Sequence, residues 1–420
     1  MSALPGLRDG RLADRRLLEG GRLARALAAL NGDGEETRLV GGAVRDLALG
    51  AAVGDFDLAT TARPEVVMRR GRAADFGVAP TGLAHGTVTL IVDGRPIEVT
   101  TLRRDVDTDG RHAKVAFGRD FREDALRRDF TINALSLTRD GDVCDYVGGL
   151  NDLADRRVRF IGEARKRIRE DYLRILRFFR FSARYGDGRL DAEGFAAAIA
   201  ERGGLAILSR ERVRAELLKL VVAPGAAEVL AAIGDAGLLA SLIAGQINAP
   251  RFGRLAAIEA AFELAPDPLL RLAALCVLVE EDAERLRERL RLSNAETERL
   301  AVAARGLAAL HDGETPPNLG ALRRLLFERR RQGALDALTL WHADSGVAPE
   351  DWRFARARAF LVTTPEPTLP ITGADVVARG VSHGQRVGAT LKKLQALWIR
   401  AGFPREPEAL ARLLDEALEP

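Results

Sequence analysis

The sequence predicts an α/β domain at its N-terminal end and an all-helical remainder. Two observations carry this. Over the first 150 residues, short apolar and β-branched runs bounded by glycine alternate with helical periodicity, the pattern of a mixed sheet with helices packed on it. Beyond residue 150 the strand runs disappear, and the chain becomes rich in Ala, Leu, Arg and Glu, punctuated by glycine and proline. A chain of 420 residues has room for two to four domains, and 47% hydrophobic with 29% charged residues is globular composition.

The elements follow in order. Residues 15–30 (RRLLEGGRLARALAAL) read as a helix interrupted at Gly20-Gly21. TRLVGG is a strand running into a glycine turn, AVRDLALG a short helix closed by Gly50, and DFDLATT the second strand. Pro64 opens the helix PEVVMRRGRAADF, since proline suits a first helical turn. Residues 78–102 read as two strands joined by the turn Asp93-Gly94. A polar loop, RRDVDTDGRHA, follows; then EDALRRDFTINALSL (123–137) looks helical and VCDYVGG is a last strand. In the helical part, breaks fall near Gly186-Asp187-Gly188, Gly203-Gly204, Pro224-Gly225, Ala249-Pro250, Pro266 to Pro268, Pro316-Pro317 and Gly346. TTPEPTLPITG is a hinge before the last piece, 371–420. No apolar run is long enough to span a bilayer, and MSALPGLRDGRLADRR carries no apolar leader core. Cys144 and Cys276 form neither a disulfide framework nor a zinc spacing, so ordinary buried thiols in a reducing cytoplasm are expected. Net charge is only +3, so any polyanion is held by local arginine clusters rather than by the total.

The chemistry concentrates around residues 39–61. Asp55 and Asp57 are two apart on a strand, so they share a face, while Phe56 and Leu58 point into a core. Adjacent carboxylates repel unless a cation lies between them, and Mg²⁺ is the hard ion that shares such ligands with phosphates. Glu98, on a later strand, is the candidate third acid of a two-metal site for displacement at phosphorus. Gly41-Gly42 ahead of a helix offers bare backbone N–H groups to an anion, and Arg45 adds a charged contact. In RRDFTINAL, Arg128 is the candidate triphosphate contact, whereas Arg127 reads as part of a charged helix face.

EDYLRILRFFRF (170–181) is the other informative stretch. Ile168, Tyr172, Ile175, Leu176 and Phe179 share an apolar helical face, and Arg174, Arg177 and Arg180 recur every third residue away from it. Asp171 lies one turn before Arg174, which makes the two side chains neighbours. Such a pair presents an acceptor and donors at fixed positions, enough to read the edge of a nucleobase. His311-Asp312 lacks a further histidine at helical distance and is not read as a metal site; His85 and His112 read as structural or phosphate-facing rather than as bases. Trp341, Trp352 and Trp398 are expected as helix-core anchors. EARKRIRE, ALRRLLFERRRQ and TLKKL are either nucleic-acid backbone contacts or solvated helix faces.

The series LVGGAVRD with GDFDLAT, GLAHGTVT, IEVTTLRRD, RRDFTINAL and EDYLRILRFFRF, in that order within residues 36–185, resembles the class II tRNA nucleotidyltransferases, or CCA-adding enzymes, and the related bacterial poly(A) polymerases. The resemblance implies an α/β nucleotidyltransferase head with a DNA polymerase beta-like mixed sheet, followed by an all-α neck, body and tail. On this chain the divisions would be 1–150 for the catalytic head, 151–222 for a nucleotide-selecting neck, 223–365 for the body and 366–420 for a tRNA-binding tail. It also implies Mg²⁺ on Asp55 and Asp57, with Gly42, Arg45 and Arg128 on the incoming triphosphate. Asp171 and Arg174 would pair with the edge of C or A as a protein template, and Arg177 and Arg180 would complete that pocket.

The implied partners are tRNA, CTP and ATP, with no membrane and no obligate protein partner. Two departures bear on the product. The loop after Arg103, RRDVDTDGRHAKVAF, lacks the aromatic and proline of many members but keeps Asp105 and its arginines. Tyr172 stands where poly(A) polymerases usually carry proline, and the chain ends EALARLLDEALEP rather than in a basic tail. The retained loop argues against a subtype that adds only CC, and the tyrosine and the acidic, apolar end favour CCA addition over poly(A) synthesis; A-only addition is the alternative the residues leave open. A catalytically dead RNA-binding protein is the alternative from another class, against which the intact Asp55, Asp57 and Glu98 argue.

Overall fold

The computed structural model describes residues 4–109, 112–311, 313–382 and 384–419, with only the backbone described for 104–109 and 112–116. The chain divides into two compact units, Met1–Ser241 and Leu242–Pro420.

In the first unit the strands run, in chain order, β1 (Leu7–Arg8), β2 (Arg11–Leu12), β3 (Thr37–Val40), β4 (Asp57–Thr60), β5 (Gly77–Gly82), β6 (Thr87–Val92), β7 (Arg95–Thr101), β8 (Arg103–Asp109), β9 (His112–Phe117), β10 (Ser136–Leu137) and β11 (Val143–Cys144). Seven of them form one sheet in the order β11-β10-β3-β4-β7-β6-β5. β4 and β7 pair in parallel; the other neighbours are antiparallel, so the sheet is mixed. β1–β2 and β8–β9 are separate hairpins. Period-2 alternation explains the orientation of β7: Ile97, Val99 and Thr101 are buried, whereas Glu98 is exposed on the opposite face. The helices Gly21–Leu30 and Pro64–Ala73 contribute Leu23, Leu27, Leu30 and Val67 to the buried side.

The sequence reading of 78–102 as two strands needs one more. β5 and the short turn Leu83–His85 precede β6, while Asp93 (φ 52°) and Gly94 (φ 73°) make the β6–β7 turn as expected. The helix expected over 123–137 ends early. Phe121–Leu126 is helical, but Phe130 adopts extended backbone (φ −120°, ψ 148°) and bridges Phe160. The cause is aromatic packing: the Phe130 ring lies 4.9 Å from Phe160 and 5.3 Å from Phe181, centroid to centroid. The continuous apolar face expected across 168–179 is likewise interrupted. Asp171 is extended (φ −157°, ψ 107°) and separates the helix Ala164–Glu170 from Leu173–Tyr185.

The second unit is helical among its described residues, from Ala249–Ala261 to Pro407–Leu418. Its last three helices, Gly373–Ala378, Gln385–Arg400 and Pro407–Leu418, close around a small core of Val376, Leu394, Leu397, Leu414 and Ala417. Arg330 (φ 59°, ψ 172°) breaks the long helix Leu319–Ser345, and the side chain of Glu366 accepts the Arg331 N–H at 2.9 Å. Trp341 and Trp398 are buried as expected, but Trp352 is 68% exposed at the start of its helix, so it anchors no core. Cys276 is buried, and burial pushes its thiol up to about 12; Cys144 is only half-buried. Among the described residues no helix is long and apolar enough to cross a membrane.

Candidate active site

The face of the sheet that carries Asp57 and Glu98 forms one wall of a cleft of about 530 Å³ lined by Asp57, Ala59, Thr87, Glu98 and Thr100. Gly41, Gly42 and Arg45 line it from the β3 turn, Arg127, Arg128, Asp129 and Asn133 from the segment after Leu126, and Arg177 and Phe181 from the helix Leu173–Tyr185.

Parallel register sets Asp57 directly beside Glu98 across β4 and β7. Enclosure by the cleft walls, then the Glu98 charge, pushes the Asp57 carboxyl up; Arg128 pulls it down and Asp55 pushes it further up. Asp55 precedes the strand, is exposed, and acts on Asp57 through its charge without lining the cleft. Among the described residues no three His, Cys, Asp or Glu side chains converge into a ready cation cage. The donor set still suits Mg²⁺, which is usually held by one or two carboxylates and completes its shell with water and substrate phosphate. The like charges gathered at Asp57 supply the electrostatic reason for a cation there.

Gly41 takes φ 72° and ψ −132°, a conformation side-chain-bearing residues rarely adopt. A Cβ there would lie 2.9 Å from Arg128 Nη1, and one at Gly42 would lie 3.3 Å from Arg45 Nη2. The glycines therefore leave room for the two guanidinium groups predicted to meet a triphosphate. Arg128 is held by Asp124 (Nη2 to Oδ2, 3.1 Å) and by the Asn133 carbonyl (Nη1, 3.2 Å). Arg127 shares the same buried Asp124 and also lines the cleft, which its reading as a plain helix face did not anticipate. Asp124 is legible in the sequence as an i,i+4 partner of Arg128; Asp129, Asn133 and Arg103 also line the cleft, with no local signal in the sequence that assigns them a role there.

Those features, an acid pair on a mixed sheet facing an arginine wall, have relatives. Residues 37–159 match the family described as the poly A polymerase head domain. Over 388 residues the chain is 34% identical to the CCA tRNA nucleotidyltransferase 1, mitochondrial, of Mus musculus, covering 90% of this chain and 86% of that protein. The chain belongs to the CCA-adding tRNA nucleotidyltransferase family. The CCA-adding enzyme of Geobacillus stearothermophilus is 33% identical over 372 residues, covering 87% of this chain and 88% of its own. A solved structure of Bacillus stearothermophilus CCA-adding enzyme in complex with CTP aligns at 28% identity with a TM-score of 0.70, over 94% of this chain and 96% of that one.

In this CCA-adding family member the predicted base-reading residues are not one cluster. Asp171 and Arg174 make no side-chain bond to each other. Asp171 accepts from Arg212 Nη2 at 2.6 Å and from the Leu173 N–H at 3.1 Å. Arg174 donates from Nη1 to Glu170 Oε2 at 2.5 Å and to the Arg167 carbonyl at 3.0 Å. The expected i,i+3 pairing fails because Asp171 has left the helix. Arg177 binds Asp129, and Arg180 binds the buried Glu216 through Nε at 2.5 Å. Of these four, Arg177 alone lines the cleft. Glu216 and Arg212 lie on the helix Arg210–Val221 and had no local signal in the sequence. His85 is exposed on its turn, and His311 ends a helix with its ring edge-on to Trp341 at 5.8 Å. The side chains of Asp105 and His112, and all of Asp312, lie outside the described residues.

Proposed function

We propose that the chain adds C, C and A to the 3′ end of tRNA without a nucleic-acid template, from CTP and ATP, releasing pyrophosphate. The observation that carries this is Asp57 set beside Glu98 at matched register in a cleft walled by Arg45, Arg103, Arg127, Arg128 and Arg177. Full-length likeness to proteins named CCA-adding enzymes supplies the product.

In this reading Asp57 and Asp55 hold Mg²⁺, which when bound supplies charge stabilisation at the reacting phosphate. Glu98 orients the tRNA 3′-hydroxyl or takes its proton. The hydroxyl oxygen forms a bond to the α-phosphorus, and the bond from that phosphorus to the β-phosphate oxygen breaks, so pyrophosphate departs. Gly42, Arg45 and Arg128 hold the triphosphate. Asp171 and Arg174 select the base, with Arg177 and Arg180 completing the pocket; Asp171 and Arg174 must then exchange or share their present partners Arg212 and Glu170. Lys and Arg on the helical parts hold the tRNA by its phosphates, reading shape more than sequence. We assign 1–150 as head, 151–222 as neck, 223–365 as body and 366–420 as tail. The cytoplasm as the compartment rests on the two unpaired cysteines.

Poly(A) synthesis is the second reading, favoured by the name of the matching head family alone. Incubation of tRNAs ending before C74, C75 and A76 (the standard tRNA positions) with labelled CTP and ATP, separately and together, decides. The expected result is stepwise C, C, A and a stop; long A tracts on any RNA would overturn CCA addition.

A further inference from the structure

We infer that Tyr185 and Asp46 are positioning residues for Arg45, closing a hydrogen-bond circuit that begins and ends on the helix Leu173–Tyr185. The inference rests on the reading of Arg45 as a triphosphate contact.

The circuit can be followed bond by bond. Arg177 donates to Asp129 Oδ2, and Asp129 Oδ1 accepts from Asn133 Nδ2 at 3.1 Å. Asn133 Oδ1 accepts from Arg45 Nη1 at 2.6 Å. Arg45 then grips Asp46 with Nε to Oδ1 at 2.9 Å and Nη2 to Oδ2 at 3.2 Å. Asp46 Oδ1 accepts the Tyr185 hydroxyl at 3.1 Å, which returns the circuit to the helix two turns beyond Arg177.

Neighbours in sequence on a helix do not ordinarily face each other, so the Arg45–Asp46 grip needs an outside support. Tyr185 supplies it twice. Its hydroxyl fixes the Asp46 carboxylate, and its ring lies under the Arg45 guanidinium at 3.9 Å from the centroid. The Tyr185 ring is itself stacked on Phe181 at 5.7 Å and 23°. Arg45 is buried, and these bonds occupy three of the five N–H donors a guanidinium has. Two donors therefore remain for a ligand on a group whose plane and tilt are already set. A preorganised guanidinium binds phosphate oxygen without first losing side-chain freedom. The consequence is a link between the two ends of the nucleotide: the helix that carries Arg174, Arg177 and Arg180 also sets the angle of Arg45.

Tyr185→Phe removes the hydroxyl bond and keeps the ring. It is expected to raise KM for CTP and ATP alike by about fivefold, with kcat and the thermal midpoint nearly unchanged. Asp46→Asn should reproduce the KM effect; it is the second variant if Tyr185→Phe folds poorly. Arg45→Ala is the control, expected to raise KM more than either. If Arg45→Ala raises KM while Tyr185→Phe and Asp46→Asn, both folded, match the parent, the positioning role is overturned. If Arg45→Ala leaves KM unchanged, the triphosphate reading of Arg45 falls and this inference with it. A loss of kcat and thermal midpoint in the Tyr185 and Asp46 variants at constant KM would mark a purely structural contact and also overturn it.

Discussion

Arg177 binds a single carboxylate oxygen of Asp129 through both Nε, at 2.8 Å, and Nη2, at 2.5 Å. The bond ties the helix Leu173–Tyr185 to the segment that carries Arg127 and Arg128, and both of its residues line the cleft. Phe130, next to Asp129, packs on Phe160 and Phe181, so an aromatic cluster fixes where the carboxylate points.

The pair should be visible in the pH dependence of stability. Burial alone would push the Asp129 carboxyl up, but Arg177, Asn133 and the Phe130 N–H outweigh it and hold the carboxyl below its usual value. A carboxyl lowered by folding contributes stability that is complete above its unfolded pKa of about 4 and is lost as pH falls through the folded value. Asp129→Asn should therefore cost about 1–3 kcal/mol at neutral pH, and the cost should shrink in acid. Urea unfolding of parent and variant at neutral and acidic pH measures this. A penalty independent of pH would show that packing, not charge, holds Asp129.

Asp57 behaves in the opposite sense. Its carboxyl is pushed up by enclosure and by Glu98, so the charged form is less favourable here than in a free carboxyl, and a cation would relieve that. Asp57→Asn should lower nucleotide incorporation by at least about a hundredfold. The same variant should melt no earlier than the parent in chelator, because a repulsion is removed. MgCl₂ should raise the parent's melting midpoint and leave the variant's where it was. A variant that still responds to MgCl₂ would remove Asp57 from the metal assignment.

Gly41 tests the arginine wall from the backbone side. Alanine there must hold φ 72° and ψ −132°, and its Cβ meets Arg128 Nη1 at 2.9 Å. The backbone term alone is about 1–3 kcal/mol. The Arg128 tip can swing away, at the expense of its bond to the Asn133 carbonyl. Gly41→Ala should thus lower stability and raise the KM for both nucleotides. A destabilised variant with the parent's KM would mean that Arg128 does not need this seat to meet the triphosphate.

What the sequence made legible was local chemistry. Gly41 at positive φ, Pro64 at a helix start and the Asp93-Gly94 turn each follow from one or two residues. Glu98 is a candidate third acid by its place on a later strand, and the β4–β7 register sets it beside Asp57. The failures are tertiary. Residues 127–135 have helical periodicity, but Phe130 gains more by extending to reach Phe160 than a further helical turn would supply. Asp171 and Arg174 have ideal i,i+3 spacing, yet their partners are Arg212 and Glu170. Arg212 lies 41 residues beyond Asp171, a separation no helical pattern reports.

That distant partner gives the test of base selection. Asp171 is half-buried between two helices, with one oxygen on the Leu173 N–H and the other on Arg212 Nη2. Arg212 is exposed and 50% open at its side chain, so its removal costs little packing. Arg212→Ala leaves the Asp171 oxygen that must accept from a base edge without its fixed neighbour. The discrimination of CTP and ATP against UTP and GTP should then fall by about tenfold, while the KM rise common to all four stays small. Arg174→Ala should do the same more strongly, since it removes the proposed donor itself. Competitive incorporation with the four labelled nucleotides on tRNA lacking its last residues measures both. An equal loss for all four nucleotides in Arg174→Ala would place that arginine on the triphosphate or the fold and end the case for a protein template. Unchanged selectivity in Arg212→Ala, with selectivity lost in Arg174→Ala, would leave the reader intact and free Asp171 of its dependence on the helix Arg210–Val221.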